Sequence, residues 1–254
     1  MQRNYLESKM SGSCERTEIL LGQEGLAKLA ESHILVAGLG GVGGICAESL
    51  CRAGVGELTL VDFDIVEKTD LNRQIIALNS TLNSKKTDVL FSRLKDINPD
   101  IEINLINQFI DENLAIEISK DSEINFIADC IDSIACKKTL ILSCFKEKKP
   151  IISSMGAGGR LDPSEIKISK LNKTFNCSLA REMRRELRGC KSCLNLPVVF
   201  STEQQIKALP HKKNKGSEGV PSGRPRAVNG AISYIPNMFG LMMAGYIIQK
   251  IINQ

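Results

Sequence analysis

Through the first 155 residues, short apolar runs bounded by glycine, proline or charged residues alternate with stretches of helical periodicity. ILVAGL at 34–39 and ELTLVD at 57–62 flank a segment from Val42 to Arg52 whose apolar positions recur at helical spacing, which predicts strand, helix, strand. IEINLI at 101–106, INFIADCI at 124–131 and PIISS at 150–154 predict further strands, separated by helices near 84–96, 111–119 and 134–146. Strands that are apolar throughout suit a sheet buried on both faces, so this part reads as α/β, a doubly wound and mostly parallel sheet.

After Gly159 the rhythm changes. EIKISKL at 165–171 alternates like a half-exposed strand, 177–188 is a basic helix, and PVVFS at 197–201 is another strand. Residues 207–226, rich in Lys, Gly, Pro and Ser, read as a long mobile loop. AVNGAISYI at 227–235 is expected to resume as a strand, and Pro236 is expected to open a final helix that returns to the same core. The stretch from Ala227 to Gln249 carries no charge, but Asn229, Gly230, Ser233, Pro236 and Asn237 interrupt it. Its apolar end is expected in the core, with no stable membrane span.

At 254 residues with 43% apolar and 24% charged positions, the chain is long and apolar enough to bury a sizeable core. Aromatics at 4%, with no Trp, disfavour a base-stacking platform. Two histidines, His33 and His211, furnish no multi-histidine metal site and sit in no Ser-His-Asp arrangement. The nine cysteines are scattered through apolar segments, and the first 18 residues are polar, so reduced thiols and a cytoplasmic location are expected. The net charge of +4 is modest, but residues 160–226 hold 15 Lys and Arg against six Asp and Glu. That imbalance suits either a polyanionic partner or a solvated basic face.

GLGGVG sets Gly38, Gly40, Gly41 and Gly43 between a strand and a helix, where backbone amides can face phosphate without side-chain obstruction. Such a loop alone leaves dinucleotide cofactors and adenine nucleotides both open. Asp62, at the end of the second strand, suits ribose hydroxyls in either case. Arg73 and Lys86 can neutralise a triphosphate, and Asp132, after a later strand, can hold magnesium. A hydride-transfer enzyme has no use for those three groups; nucleotidyl transfer does.

The order GxGGxG, DFD at 62–64, NRQ at 72–74, Lys86 and DCID at 129–132 resembles the adenylating superfamily of ubiquitin-activating enzymes and the molybdopterin- and thiamine-pathway adenylyltransferases. ERTEILLGQEGLAKLAESHILVAGLGGVGG, NRQIIAL, KDINPDIEI, CIDSIACKK, PIISSMGAGGRLDPSEIKISKL, REMRREL and VVFSTE narrow the resemblance to the tRNA threonylcarbamoyladenosine dehydratases, over about residues 15–206.

The resemblance implies a Rossmann-like, ubiquitin-activating-enzyme-like fold with a C-terminal strand and helix. It implies one adenylating domain over 1–254, with a nucleotide-binding core at 1–155 and a substrate-side extension at 156–254. It implies magnesium and ATP as cofactors, and adenylation of the free carboxylate on threonylcarbamoyladenosine in tRNA, followed by attack from within the substrate to give a cyclic hydantoin. The alternative it leaves is an adenylyltransferase for the C-terminal carboxylate of a ubiquitin-like sulfur carrier.

Carried over by position, Gly38 to Gly43 cradle phosphates, Asp62 binds ribose, Asn72, Arg73 and Lys86 grip the triphosphate, and Asp132 positions magnesium. Arg16 matches an N-terminal arginine that reaches into a partner's nucleotide site, which implies a homodimer. Asp64 is expected near the same mouth, in support of metal or Arg73, or in a structural turn. Arg160, in GAGGRLDP, is expected to orient the substrate carboxylate or the nucleotide, or simply to shape a turn. Arg181, Arg184, Arg185 and Arg188 are expected to line a track for tRNA phosphates, with a solvated helix face as the alternative. A cysteine desulfurase or sulfur acceptor remains open as a partner. Two positions depart from the pattern: position 70 is Asp where Asn is usual, and Cys190 and Cys193 form a lone CxxC pair that cannot complete a four-cysteine zinc site.

Overall fold

A computed structural model describes residues 14–207 and 230–253. The expected mobile loop at 207–226 lies outside the described residues except for Lys207.

Seven strands form one sheet in the order β3-β2-β1-β4-β5-β7-β6. They are β1 (His33–Ala37), β2 (Glu57–Val61), β3 (Glu102–Ile106), β4 (Phe126–Asp129), β5 (Ile151–Ser154), β6 (Ile166–Lys170) and β7 (Pro197–Ser201). All neighbours run parallel except β6, which pairs antiparallel with β7. The central strands β1, β4 and β5 are buried at every residue, whereas β3 and β6, at the two edges, alternate toward solvent. This difference explains why the first three read as continuous apolar runs and the edges as alternating ones.

Alternation along β1 divides the core. Ile34 and Val36 join one cluster with Leu29, Leu50, Leu94 and Phe239; Leu35 and Ala37 join another with Leu114, Ile118, Leu140 and Met183. The first face is covered by α1 (Glu15–Ala30), α2 (Gly43–Ala53), α3 (Lys86–Ile97) and α7 (Tyr234–Ile252), and the second by α4 (Glu112–Lys120), α5 (Ile134–Lys146) and α6 (Ser178–Glu186).

The C-terminal part differs from the sequence expectation. Residues 230–233 form no strand and the last helix begins at Tyr234, ahead of Pro236, while 227–229 lie outside the described residues. Proline supplies no N–H, and the first helical turn needs none, so it is tolerated a residue or two inside. The helix Tyr234–Ile252 is long and apolar enough to cross a membrane by length and composition. It buries Ile235, Phe239, Met243, Ile247 and Ile251, one stripe at four-residue spacing, in the core.

The cysteines also differ from expectation. Cys190 and Cys193 are joined in a disulfide, and the other seven are in no disulfide. The turn through Lys191 and Ser192 sets the two Cα atoms 5.3 Å apart, inside the range that a bridge spans.

Candidate active site

The chain leaves β1 toward β2 on one side and returns to β4 on the other, so the carboxyl ends of β1 and β4 border the switch point where ligands of such sheets bind. The loop from Gly38 lies here. Gly38 has φ 85°, and a Cβ on it would meet the Cys130 carbonyl oxygen at 3.0 Å; a Cβ on Gly43 would lie 1.7 Å from the Gly38 carbonyl oxygen. The loop therefore closes on itself and on the segment after β4, leaving no room for a side chain at Gly38 or Gly43. Gly43→Ala should separate that turn from α2. The expected result is loss of detectable nucleotide binding by equilibrium dialysis, with a fall in melting temperature.

Asp62 follows β2 and locks the loop: its Oδ2 accepts the Leu39 N–H at 2.6 Å and its Oδ1 the Asp64 N–H at 2.8 Å. Burial pushes its carboxyl above the usual range, opposed by Lys86 and the two amides. Lys86, the first residue of α3, is buried and donates to Asp64 Oδ2 at 3.0 Å, with Asp70 Oδ2 at 4.0 Å. Burial alone would lower its ammonium, but Asp62, Asp64 and Asp70 outweigh that and hold it above the ordinary lysine value.

Asp70 is the centre of the turn between them. Its Oδ1 accepts from Gln74 Nε2 at 2.6 Å and lies 3.5 Å from Arg73 Nη2, while its Oδ2 accepts the Glu67 N–H at 3.0 Å. Arg73 also donates to the Thr69 carbonyl at 2.8 Å and to Asn72 Oδ1 at 2.9 Å. Asn72 is exposed and donates to the Ala231 carbonyl at 2.9 Å. From α7, Asn237 donates to the Arg73 carbonyl at 3.1 Å, and a Cβ on Gly41 would meet Pro236 Cβ at 3.0 Å. The start of α7 thus braces both the glycine loop and the arginine, a contribution that Pro236 and Asn237 gave no sign of in the sequence.

Asp132 is exposed just past the carboxyl end of β4. Beneath it lies a fully buried group that the sequence reading missed. Lys137 Nζ donates to Asp129 Oδ2 at 2.8 Å and to Ser153 Oγ at 2.9 Å, and Ser153 Oγ donates to Asp129 Oδ2 at 2.7 Å. Asp129 Oδ1 accepts the Ile131 N–H at 3.2 Å, which ties the Cys130–Asp132 segment to the core.

The structure gathers Gly38 to Gly43, Asp62, Asp64, Asn72, Arg73 and Lys86 in this cleft, with Asp132 at its β4 edge. Arg160 is not brought to it as an open group. It is 2% exposed, and its two terminal nitrogens bond the backbone carbonyls of Glu203 and Asn176. The structure favours the turn-shaping alternative for Arg160: its side chain is buried and its terminal nitrogens tie residues 176 and 203 together, so it presents no open face to a substrate carboxylate.

The four arginines of the expected track lie on and beside α6, two of them with protein partners. Arg184 turns back to the Thr174 carbonyl at 3.0 Å, and Arg185 pairs with Glu182 at 2.7 Å and Glu186 at 3.4 Å. Arg181, Arg185 and Arg188 are exposed, and all four arginines line a groove of about 570 Å³ that also meets Leu194. Arg16 is exposed in the first turn of α1 and makes no hydrogen bond or ion pair with a described residue of the cleft.

A mostly parallel doubly wound sheet with a glycine loop at its switch point, a carboxylate at the end of β2 and two cations beside it defines an α/β protein of the nucleotide-binding class. The chain belongs to the ThiF family, whose profile matches residues 15–254. It is 34% identical to the tRNA threonylcarbamoyladenosine dehydratase of Bacillus subtilis, over 93% of each chain. It is similar to the solved structure of the E. coli tRNA N6-threonylcarbamoyladenosine dehydratase TcdA in complex with ATP, at TM-score 0.83 and 29% identity, covering 98% of this chain and 96% of that one. The molybdopterin-synthase adenylyltransferase of Haemophilus influenzae is 38% identical, but over only 69% of this chain and 70% of its own.

Proposed function

We propose that this chain is an ATP-dependent tRNA threonylcarbamoyladenosine dehydratase. The observation that carries the reading is the convergence of Arg73 and Lys86 with the glycine loop and Asp62 at the carboxyl ends of β1 and β2. The full-length likeness to enzymes of that name supports the choice of substrate, since the likeness to a molybdopterin-synthase adenylyltransferase covers only 69% of the chain.

A carboxylate resists nucleophiles until one of its oxygens becomes part of a good leaving group. The substrate carboxylate attacks the α-phosphorus, the bond to the β-phosphate breaks, and pyrophosphate departs with the electron pair. Lys86 and Arg73 stabilise the charge that builds on those oxygens, while Asp62 fixes the ribose and so aligns the phosphorus. A nitrogen of the substrate then attacks the acyl carbon, AMP leaves, and the nitrogen's proton passes to solvent. The substrate has lost the elements of water without any protein nucleophile.

Magnesium, when bound, would neutralise phosphate charge. One exposed carboxylate, Asp132, together with phosphate oxygens suits its preference for hard donors and retained waters. The reading carries the cytoplasm as its compartment and tRNA as its macromolecular substrate, with Arg181 and Arg188 as first contacts for phosphate. It includes a homodimer in which exposed Arg16, flanked by Ile19 and Leu20 at 79% and 81% exposure, reaches the cleft of a second copy. A cysteine desulfurase or sulfur acceptor is a further partner within this reading.

The test is to incubate the protein with magnesium, ATP and tRNA bearing the linear modification, then digest under mild conditions and weigh the nucleoside. Loss of one water, slowed about a hundredfold or more in Lys86→Met, is the expected result. Unchanged nucleoside together with adenylation of a carrier-protein tail would overturn it.

A further inference from the structure

Three carboxylates and two cations share the cleft beside the glycine loop. Asp62, Asp64 and Asp70 surround Lys86, and Asp70 also faces Arg73. Of the three, Asp64 is half exposed, with a side chain 48% accessible, so water screens it; the Asp70 side chain is 8% accessible and cannot turn away. Gln74 Nε2 and the Glu67 N–H hold both of its oxygens, and Gln74 is itself buried. Its charge is therefore fixed where both cations point, and the five groups together carry a formal charge that is net negative. A triphosphate entering this cleft has to win Arg73 and Lys86 from an anion already in place.

We propose that Asp70 acts as a built-in counter-anion, holding Arg73 and Lys86 poised for phosphate and making tight nucleotide binding depend on a divalent cation to offset its charge. It is a positioning residue, since it acts through the two cations and need not touch the nucleotide. This rests on the nucleotide reading of the cleft given above.

Asn at position 70 keeps the shape and one acceptor while removing the charge. Asp70→Asn should bind ATP in the presence of EDTA about tenfold more tightly than the natural protein, and inorganic tripolyphosphate by a similar factor. The expectation follows from removing one fixed like charge a few ångströms from the phosphates. Adenosine affinity should not change, and the gain for ATP should shrink when magnesium is in excess. A purely structural role for Asp70 would not separate tripolyphosphate from adenosine in this way.

The measurement is isothermal titration calorimetry on the full-length natural protein, Asp70→Asn, Asp70→Ser and Lys86→Met, with melting temperatures recorded for each. Asp70→Ser retains a hydroxyl for the Glu67 N–H and serves where Asp70→Asn fails to fold. If the natural protein binds no nucleotide with or without magnesium, both the cleft reading and this inference fall. If it binds, Lys86→Met weakens binding, and both folded position-70 variants match the natural protein in EDTA, the inference alone is overturned.

Discussion

Lys86→Met should slow formation of the acyl-adenylate by about a hundredfold to a thousandfold, the range seen when one preorganised charge-stabilising donor is removed. The loss should fall mainly on kcat, measured by pyrophosphate exchange in the presence of tRNA, because charge on the departing pyrophosphate develops in the transition state. Methionine matches the length of the lysine stem. It also leaves Asp62 and Asp70 buried without their shared cation, so a fall in stability should accompany the fall in rate. The sign of the pH effect follows from the raised ammonium. Stability that Lys86 contributes is fully present below the unfolded-state lysine value of about 10.4 and is lost only as pH rises through the still higher folded value. Any decline in activity between pH 7 and 9 must then come from another group. A Lys86→Met enzyme that is folded and retains more than about a third of its pyrophosphate exchange would remove Lys86 from the chemistry.

The fold was legible where burial is uniform or strictly one-sided. Strands β1, β2, β4, β5 and β7 are continuous apolar runs ending in glycine or polar residues, and the structure has each within a few residues of its expected place. Helix α1 gave no comparable signal, because Ile19 and Leu20 face outward and Gly22, at φ 72°, breaks its periodicity; only Gly25, Leu26 and Leu29 are buried. The cleft was legible as a cluster because the glycines, Asp62 and Lys86 sit at the ends of apolar strands or the starts of helices, with Arg73 in the connection between β2 and α3, and one end of a parallel sheet gathers these together. Arg160 was harder to read. An arginine in a glycine-rich turn looks available, and only the tertiary path of residues 176 and 203 shows that backbone carbonyls claim it. Asp129 and Lys137 were invisible as a pair, since one ends an apolar strand and the other lies in the helix that follows. Their contact depends on how that helix packs back over β4 and β5.

That buried pair sets the second large effect. Lys137→Met should destabilise the protein by about 3–5 kcal/mol, the cost of leaving one partner of a buried ion pair unmatched. Asp129 and Lys137 are both fully buried, so neither water nor salt can substitute for the missing charge. For a domain of this size the loss corresponds to a melting temperature lower by on the order of 10 °C. Adding Asp129→Asn to Lys137→Met should recover about half of that loss or more. The amide carries no charge, and its oxygen still accepts the Ile131 N–H that anchors the Cys130–Asp132 segment. Activity should follow the anchor and not the charge: the double variant, once folded, should keep its nucleotide affinity, since the loop beside Gly38 is still held. Urea unfolding at neutral pH, with ATP titrated into each variant, checks both halves. A single variant within about 1 kcal/mol of the natural protein would mean that the Asp129 carboxyl is not held as an anion by Lys137. A double variant that recovers stability but loses nucleotide would place Asp129 itself in the binding site.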